Sequence, residues 1–246
     1  MRAKVNLDVI PAVDVLGGRV VRLLGGAYDQ VTTYGHDPVA MAESWIEQGA
    51  TLVHLVDLEG ARSGVPDVAL WRRFAAAGLP FQVGGGIRNA RVAGEALAAG
   101  AARVVMGTAA VTRPEALEEV APIGRVVAAL DVRDGQARGE GWLGAGRDLA
   151  DVLIDLAAAG IERVMVTAIA RDGTMRGPDL DLIGQVRAMA PQLAVIASGG
   201  VGALDDLPLL ARAGCEAVVI GRALYEKRFT LPQARTMLGV RNGPPP

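Results

Sequence analysis

Two aspartates are the residues of this chain best placed to do chemistry. Asp14 directly follows the apolar run Val9–Val13, and Asp131 ends a similar run, so each would stand at the end of a buried strand. Each is also followed by a long connection, over residues 14–36 and 131–146, of the kind that often forms a lid or binding loop. A carboxyl group acts as a general base when ionised and as a general acid when burial raises its pKa. We therefore predict that Asp14 and Asp131 are a catalytic pair for proton transfer.

Glycine-rich turns form a second set of candidates, suited to binding phosphate. They recur at one separation along the chain and define a first glycine cup (Gly85, Gly86 and Gly107) and a second glycine cup (Gly199, Gly200, Gly221 and Arg222). Glycine lets the backbone approach a ligand closely, and a helix N-terminus offers free amides to an anion. One such turn could serve tight folding alone, but the repetition favours two phosphate sites. Valine at Gly86 or Gly200 is then expected mainly to weaken substrate binding.

Several further residues are candidates for the site: Thr167 is predicted with the catalytic residues, and the others are candidate substrate contacts with a plainer alternative. Thr167, at the end of a predicted strand, could hold a catalytic acid or bind a sugar hydroxyl. Asp172 could instead belong to an Asp-Gly turn, and His54 could be a core histidine. Trp142 could stack on a planar ring or anchor its loop. The arginines that could pair with phosphate, or remain solvated, are Arg19, Arg22 and Arg88.

Short apolar runs that alternate with helix-like stretches must position these residues. The predicted strands are Val9–Val13, Leu52–Val56, Leu79–Val83, Arg103–Met106, Arg125–Leu130, Arg163–Thr167, Leu193–Ala197 and Ala217–Ile220. Eight strand–helix units in 246 residues match the usual size of a (β/α)8 barrel, roughly 250 residues. A doubly wound open sheet gives the same alternation, but glycines and aspartates near the strand ends recur in the second half of the chain, which favours a closed ring.

We therefore predict a single (β/α)8 TIM barrel with a half-barrel internal repeat over residues 1–240, and a disordered tail over 241–246. In such a ring the two acids lie on one diagonal of the mouth and the two glycine cups lie on the other. The predicted ligand is elongated, carries a phosphate at each end and reacts in its middle.

Composition excludes several classes of function. A net charge of -2 gives no basic field for nucleic acid, and no apolar run is long enough for a membrane span. Two histidines and one cysteine argue against a zinc site, and the absence of a Walker motif or complete dinucleotide fingerprint argues against a nucleotide cofactor. The lone Cys215 favours a reducing, cytoplasmic setting. We expect no metal, no organic cofactor and a monomer.

The motifs of this chain closely resemble the ProFAR isomerase family of histidine biosynthesis, from about Val9 to Leu238. The motifs that carry the resemblance are Ile10-Pro11-Ala12-Val13-Asp14, Gly18-Arg19-Val20-Val21-Arg22-Leu23, His54-Leu55-Val56-Asp57-Leu58, Gly84-Gly85-Gly86-Ile87-Arg88, Ala129-Leu130-Asp131-Val132, Arg171-Asp172-Gly173-Thr174 and Ser198-Gly199-Gly200-Val201. The family is a (β/α)8 barrel that converts an aminoaldose ribotide to an aminoketose, an Amadori rearrangement, without metal or organic cofactor. The resemblance implies a substrate with a phosphate at each end.

The resemblance also implies roles that the residues alone leave open. Asp14 would accept the proton from C2 of the sugar, and Asp131 would donate the proton that opens the ribose ring to a Schiff base. Thr167 and Asp172 match positions that contact the substrate or steady the acids. The remaining positions that match ligand contacts of the family are Arg19, His54, Arg88 and Trp142.

Three alternatives remain. The cyclase subunit of imidazole glycerol phosphate synthase shares both aspartates but has cysteine in the first strand, where this chain has Ala12, and needs a glutaminase partner. A bifunctional isomerase that also acts on phosphoribosyl anthranilate usually has serine where Gly84 stands, although Arg138–Trp142 is similar to its fifth loop. A flavin-binding or non-catalytic phosphate-binding barrel would purify yellow or tolerate loss of both acids.

Overall fold

Eight short apolar segments of the chain form one closed ring of parallel strands. The computed structural model describes residues 7–139, 142 and 146–239, and the predicted tail over 241–246 lies outside the described residues. Within those ranges the strands are β1 (Asp8–Leu16), β2 (Arg19–Leu24), β3 (Ala27–Gly35), β4 (Val53–Asp57), β5 (Phe81–Gly84), β6 (Arg103–Met106), β7 (Val126–Arg133), β8 (Gln136–Arg138), β9 (Arg147–Asp148), β10 (Arg163–Ala168), β11 (Ala194–Ser198) and β12 (Ala217–Ile220).

The ring runs β1-β4-β5-β6-β7-β10-β11-β12, and it closes because β12 pairs in parallel with β1. All neighbours in the ring are parallel. The predicted (β/α)8 TIM barrel is therefore confirmed, and the open doubly wound sheet is excluded. Three opposite pairs follow from this order: β1 lies across from β7, β5 across from β11, and β6 across from β12.

Helices cover the outside of the ring, and apolar side chains fill the space between helices and strands. The helices are α1 (Pro38–Glu47), α2 (Leu58–Ser63), α3 (Val68–Ala76), α4 (Ala90–Ala98), α5 (Thr108–Thr112), α6 (Pro114–Val120), α7 (Leu149–Ala158), α8 (Leu180–Met189), α9 (Asp206–Arg212), α10 (Arg222–Tyr225) and α11 (Leu231–Met237), with a 3-10 turn at Ala121–Ile123. A second apolar cluster fills the barrel interior: Ile10, Ala12, Val105, Val127, Met165, Ile196, Ala217 and Val219. None of the helices in the described ranges has the length and apolarity that a membrane span requires.

Both long connections are antiparallel hairpins that extend barrel strands, although the sequence reading treats them as loops. Gly17 and Gly18 both have positive φ and join β1 to β2, and Asp134 and Gly135 do the same between β7 and β8. Two consecutive residues with positive φ are the signature of the tight turn that suits a two-residue hairpin. Each hairpin starts directly beside a predicted catalytic aspartate, so it fixes the register of the residues that surround that aspartate.

Candidate active site

A single cavity at the carboxyl ends of the barrel strands brings the predicted residues together. Its volume is about 1490 Å³. It is lined by every predicted site residue except Arg19: Asp14, His54, Gly85, Gly86, Arg88, Gly107, Asp131, Trp142, Thr167, Asp172, Gly199, Gly200, Gly221 and Arg222. Arg19 is exposed at the start of β2 and does not line the cavity.

Asp14 forms an ion pair with Arg22 in the site. The β1–β2 hairpin pairs Asp14 with Val21, which brings Arg22 beside the carboxyl group. Arg22 Nη1 donates to Asp14 Oδ2 at 2.7 Å, and Arg22 Nη2 lies 3.9 Å from Asp172 Oδ1. Burial raises the pKa of Asp14, with a further rise from Asp172 and an opposing effect from Arg22. The carboxylate is thus poised to take a proton while a fixed cation stabilises its ionised form.

Asp131 stands on the opposite strand in a different electrostatic setting. It is level with Thr167 in the β7–β10 register, and the side chains of Thr167 and Trp142 act on its carboxyl group as hydrogen-bonding neighbours. Burial raises the pKa of Asp131 and so does Asp172, while these two hydrogen bonds lower it. Because both hydrogen-bonding partners are neutral, the setting of Asp131 suits a group that holds and delivers a proton more than the setting of Asp14 does.

His54 stands on β4 at the floor of the cavity and is 5% exposed. Burial lowers its pKa to about 3, and the positive charges of Arg22 and Arg103 add to the effect. The imidazole is therefore neutral throughout the physiological range, which makes it a hydrogen-bonding group and not a cation for phosphate.

Most glycines of the two cups are required by the packing of the loops. A Cβ at Gly86 would lie 2.8 Å from the carbonyl oxygen of Gly60, and one at Gly200 would lie 2.3 Å from that of Gly177. Gly85 has an even closer backbone contact, and all three have positive φ. Valine at Gly86 or Gly200 would thus displace backbone, so the expectation that it mainly weakens substrate binding is wrong.

Gly107 and Gly221 differ from these glycines. They have nearly the same backbone angles, φ -95° and ψ -98° at Gly107 and φ -109° and ψ -92° at Gly221, so the repeat in the sequence is also a repeat in conformation. A Cβ at Gly107 would meet no atom within 4 Å, whereas one at Gly221 would lie 2.5 Å from Cζ of Arg22. Gly107 in the first glycine cup therefore faces open space, whereas the guanidinium of Arg22 covers Gly221 in the second.

Two arginines of the predicted set are partly engaged by the backbone. Arg222 donates from Nη1 to the carbonyl oxygen of Gly173 at 2.7 Å and pairs with Glu226. Arg88 Nη2 donates to the carbonyl oxygen of Ala61 at 3.3 Å. Both line the cavity, one at each glycine cup, so they can contribute positive charge there.

The contact of Arg22 with Asp14 is the feature that sequence reasoning missed. The sequence presents Arg22, like Arg19, only as a candidate phosphate contact or a solvated charge. The Gly17-Gly18 pair was the available signal, since a two-residue turn at that place fixes which residue of β2 stands opposite Asp14.

Comparisons with known proteins agree with this geometry. A family model described as "Histidine biosynthesis protein" matches residues 8–230. A protein of Synechococcus sp. (strain CC9605) is 43% identical over 241 residues, covering 95% of this chain and 94% of the relative. A protein of Roseiflexus castenholzii is 45% identical over 237 residues, covering 93% and 98%. Both are named 1-(5-phosphoribosyl)-5-((5-phosphoribosylamino)methylideneamino) imidazole-4-carboxamide isomerase.

A third relative extends the comparison to another lineage. The protein of Desulforudis audaxviator (strain MP104C) is 45% identical over 234 residues, covering 92% of this chain and 89% of the relative, and it has the same name.

Proposed function

Because the chain belongs to the histidine biosynthesis protein family, we propose that its reaction is the one for which its relatives are named, the isomerisation of ProFAR. The chain is an intramolecular aldose–ketose isomerase of histidine biosynthesis. The substrate in that name has two phosphoribosyl groups, so it bears two phosphates, and a phosphorylated small molecule with a charge at each end fits the arrangement of the cavity.

The observation that carries this proposal is the pair of crossed diagonals at the barrel mouth. Asp14 and Asp131 lie near the carboxyl ends of strands that face each other across the ring, and the two glycine cups follow the opposed strands β5 and β6 on one side and β11 and β12 on the other. A ligand held by a phosphate at each cup has its middle between the two carboxyl groups. Binding at the remote phosphates then orients the reacting carbons, which converts binding energy into positioning.

The unequal partners of the two aspartates support unequal roles. Asp131, with neutral partners and a pKa raised by burial, would protonate the ring oxygen of the ribose and open it to the Schiff base. Asp14, whose ionised form is stabilised by Arg22, would remove the proton from C2 of the sugar. The enaminol formed in this way becomes the aminoketose when a proton is added at C1 and the hydroxyl group on C2 gives up its proton.

The remaining site residues would hold the substrate and the acids in place. Thr167 and Trp142 would orient Asp131, and Asp172, whose Oδ1 lies 3.9 Å from Nη2 of Arg22, would help to hold the guanidinium. Gly107, with open space before it, would admit one phosphate, and Arg22 and Arg222 would meet the other beside Gly221. The exposed Arg19 has no part in this arrangement.

The alternatives gain no support from the three relatives described above, each of which carries the isomerase name. We further propose one catalytic domain over 1–240 that acts as a monomer in the cytoplasm, without nucleic-acid or membrane partners and without a cofactor. The buried thiol of Cys215 is consistent with a reducing compartment.

The decisive experiment is an assay of the purified protein with ProFAR and, separately, with phosphoribosyl anthranilate, both in the presence of a chelator. Turnover of ProFAR alone is the expected result. Turnover of both substrates at comparable kcat/KM would establish the bifunctional alternative, and turnover of neither would overturn the proposal.

A further inference from the structure

A chain of polar side chains links three neighbouring strands of the barrel and ends at His54. His54, Gln82 and Arg103 occupy the same level on the neighbouring strands β4, β5 and β6, where the register pairs each with the next. Gln82 is completely buried. A buried amide has to satisfy its hydrogen bonds inside the protein, so its partners fix how it is oriented.

The direction of each hydrogen bond follows from the chemistry of the partners. Arg103 Nε lies 2.6 Å from Gln82 Oε1, and a guanidinium can only donate, so this oxygen is the acceptor. The amide nitrogen of Gln82 therefore faces His54, with Nε2 of Gln82 3.0 Å from Nδ1 of the imidazole. Since the amide nitrogen can only donate, Nδ1 of His54 must accept and carries no proton. In the neutral ring the proton is then on Nε2.

The far end of this chain is anchored by charge. Arg103 Nη1 lies 3.8 Å from Glu216 Oε1, and Arg163 Nε donates to the same oxygen at 3.2 Å. Held there, the Arg103 guanidinium keeps presenting Nε to Gln82. Rotation of the Gln82 amide by half a turn would set its NH₂ group against that N–H, leaving two donors face to face. The anchor thus makes one orientation of the amide far more favourable than the other.

We propose that Gln82 and Arg103 are positioning residues for the isomerisation, which hold His54 as its Nε2–H tautomer and so present a fixed N–H donor to an oxygen of the substrate. The substrate part of this proposal rests on the proposed function. His54 lines the same cavity as the two aspartates, and its low pKa keeps the ring neutral. With Nδ1 occupied and Nε2 protonated, the ring has no free lone pair. It therefore cannot compete with Asp14 for the proton from the sugar.

The first test measures the tautomer directly and does not depend on turnover. The full-length protein labelled with [¹⁵N]histidine contains only His36 and His54, and the His36→Gln variant assigns the two rings in long-range ¹H–¹⁵N spectra. We expect His54 to show an unprotonated Nδ1 and a protonated Nε2 at neutral pH. A protonated Nδ1, or an imidazolium, would overturn the proposal.

The second test asks whether Gln82 acts through His54. Gln82→Met keeps the side-chain length and removes the amide, and we expect kcat/KM for ProFAR to fall at least about tenfold, the order expected for loss of a fixed hydrogen bond. In a His54→Leu background the same change should add almost nothing. Equal losses in both backgrounds would show a merely structural role. Gln48→Met, the same replacement at the end of α1 and outside the cavity, serves as the control.

The two tests separate this inference from the proposed function. If the wild-type protein does not turn over ProFAR, the isomerase assignment fails while the tautomer of His54 can still be read. If ProFAR is turned over and His54 shows the other tautomer, only the positioning role fails. If Gln82→Met does not fold, the spectra of the wild-type protein decide alone.

Discussion

Replacement of Asp131 by asparagine should separate catalysis from folding. Asparagine has the shape of aspartate but cannot deliver a proton, so the general acid is lost. Acid–base catalysis by one positioned group contributes roughly 10²–10⁴-fold, and we expect kcat for ProFAR to fall by that factor, about 2.7–5.4 kcal/mol of transition-state stabilisation.

The same variant should keep its stability, and the contacts of Asp131 give the reason. The amide oxygen of asparagine can still accept from Thr167 or Trp142, so at most one hydrogen bond is lost, about 1 kcal/mol. Burial raises the pKa of Asp131, which means that the ionised carboxylate costs folding energy that asparagine does not. These two effects have opposite signs, and the net change should be small.

The pH dependence of stability provides the check on this reasoning. A carboxyl group whose pKa is raised in the folded protein destabilises that protein as the pH rises above about 4, the pKa of the group in the unfolded chain. We therefore expect the free energy of unfolding of Asp131→Asn, measured in urea, to rise relative to that of the wild type between pH 4 and pH 8. The exposed replacement Asp151→Asn on α7 should show no such relative rise. Near-normal turnover, or a relative loss of stability that grows with pH, would refute the reasoning.

Two further predictions concern the cation and the glycines. Arg22→Met should move the acid limb of the pH profile of kcat/KM to higher pH, because Arg22 lowers the pKa of Asp14 and a base must be ionised to act. Arg19→Met is the matched control. An acid limb that stays in place in the Arg22 variant would contradict this role. Gly107→Ala should weaken inhibition by inorganic phosphate with little change in Tm, whereas Gly86→Ala should lower Tm by several degrees. A larger loss of Tm in the Gly107 variant than in the Gly86 variant would contradict the steric argument.

The barrel and the two aspartates were predictable because their signals are local. A strand that is buried on both faces is a continuous apolar run, and Val126–Leu130 with the acid behind it has that form. β3 has exposed or half-exposed residues throughout, so it shows no apolar pattern, and β8 has only three residues. Without an apolar pattern the two hairpins were interpreted as loops.

The finer properties of the site depend on which atoms meet across the fold. Arg19 and Arg22 are equivalent in type and only three positions apart, and the register of β1 with β2 decides which one reaches Asp14. Likewise Gly86 and Gly107 look alike in sequence, although one faces loop backbone and the other faces open space. Such differences arise from tertiary contacts between segments that are distant along the chain.

Gly107 and Gly221 have nearly the same backbone conformation, but the guanidinium of Arg22 lies against Gly221 only. The two halves of the repeated barrel therefore present unlike ends to a ligand. A molecule with unlike ends could otherwise dock in two directions, one of which would present the wrong carbon to the base. Arg22 contacts both Gly221 and Asp14, so if Asp14 is the base we propose, we expect this one side chain to influence both the direction in which the substrate docks and the base that it meets.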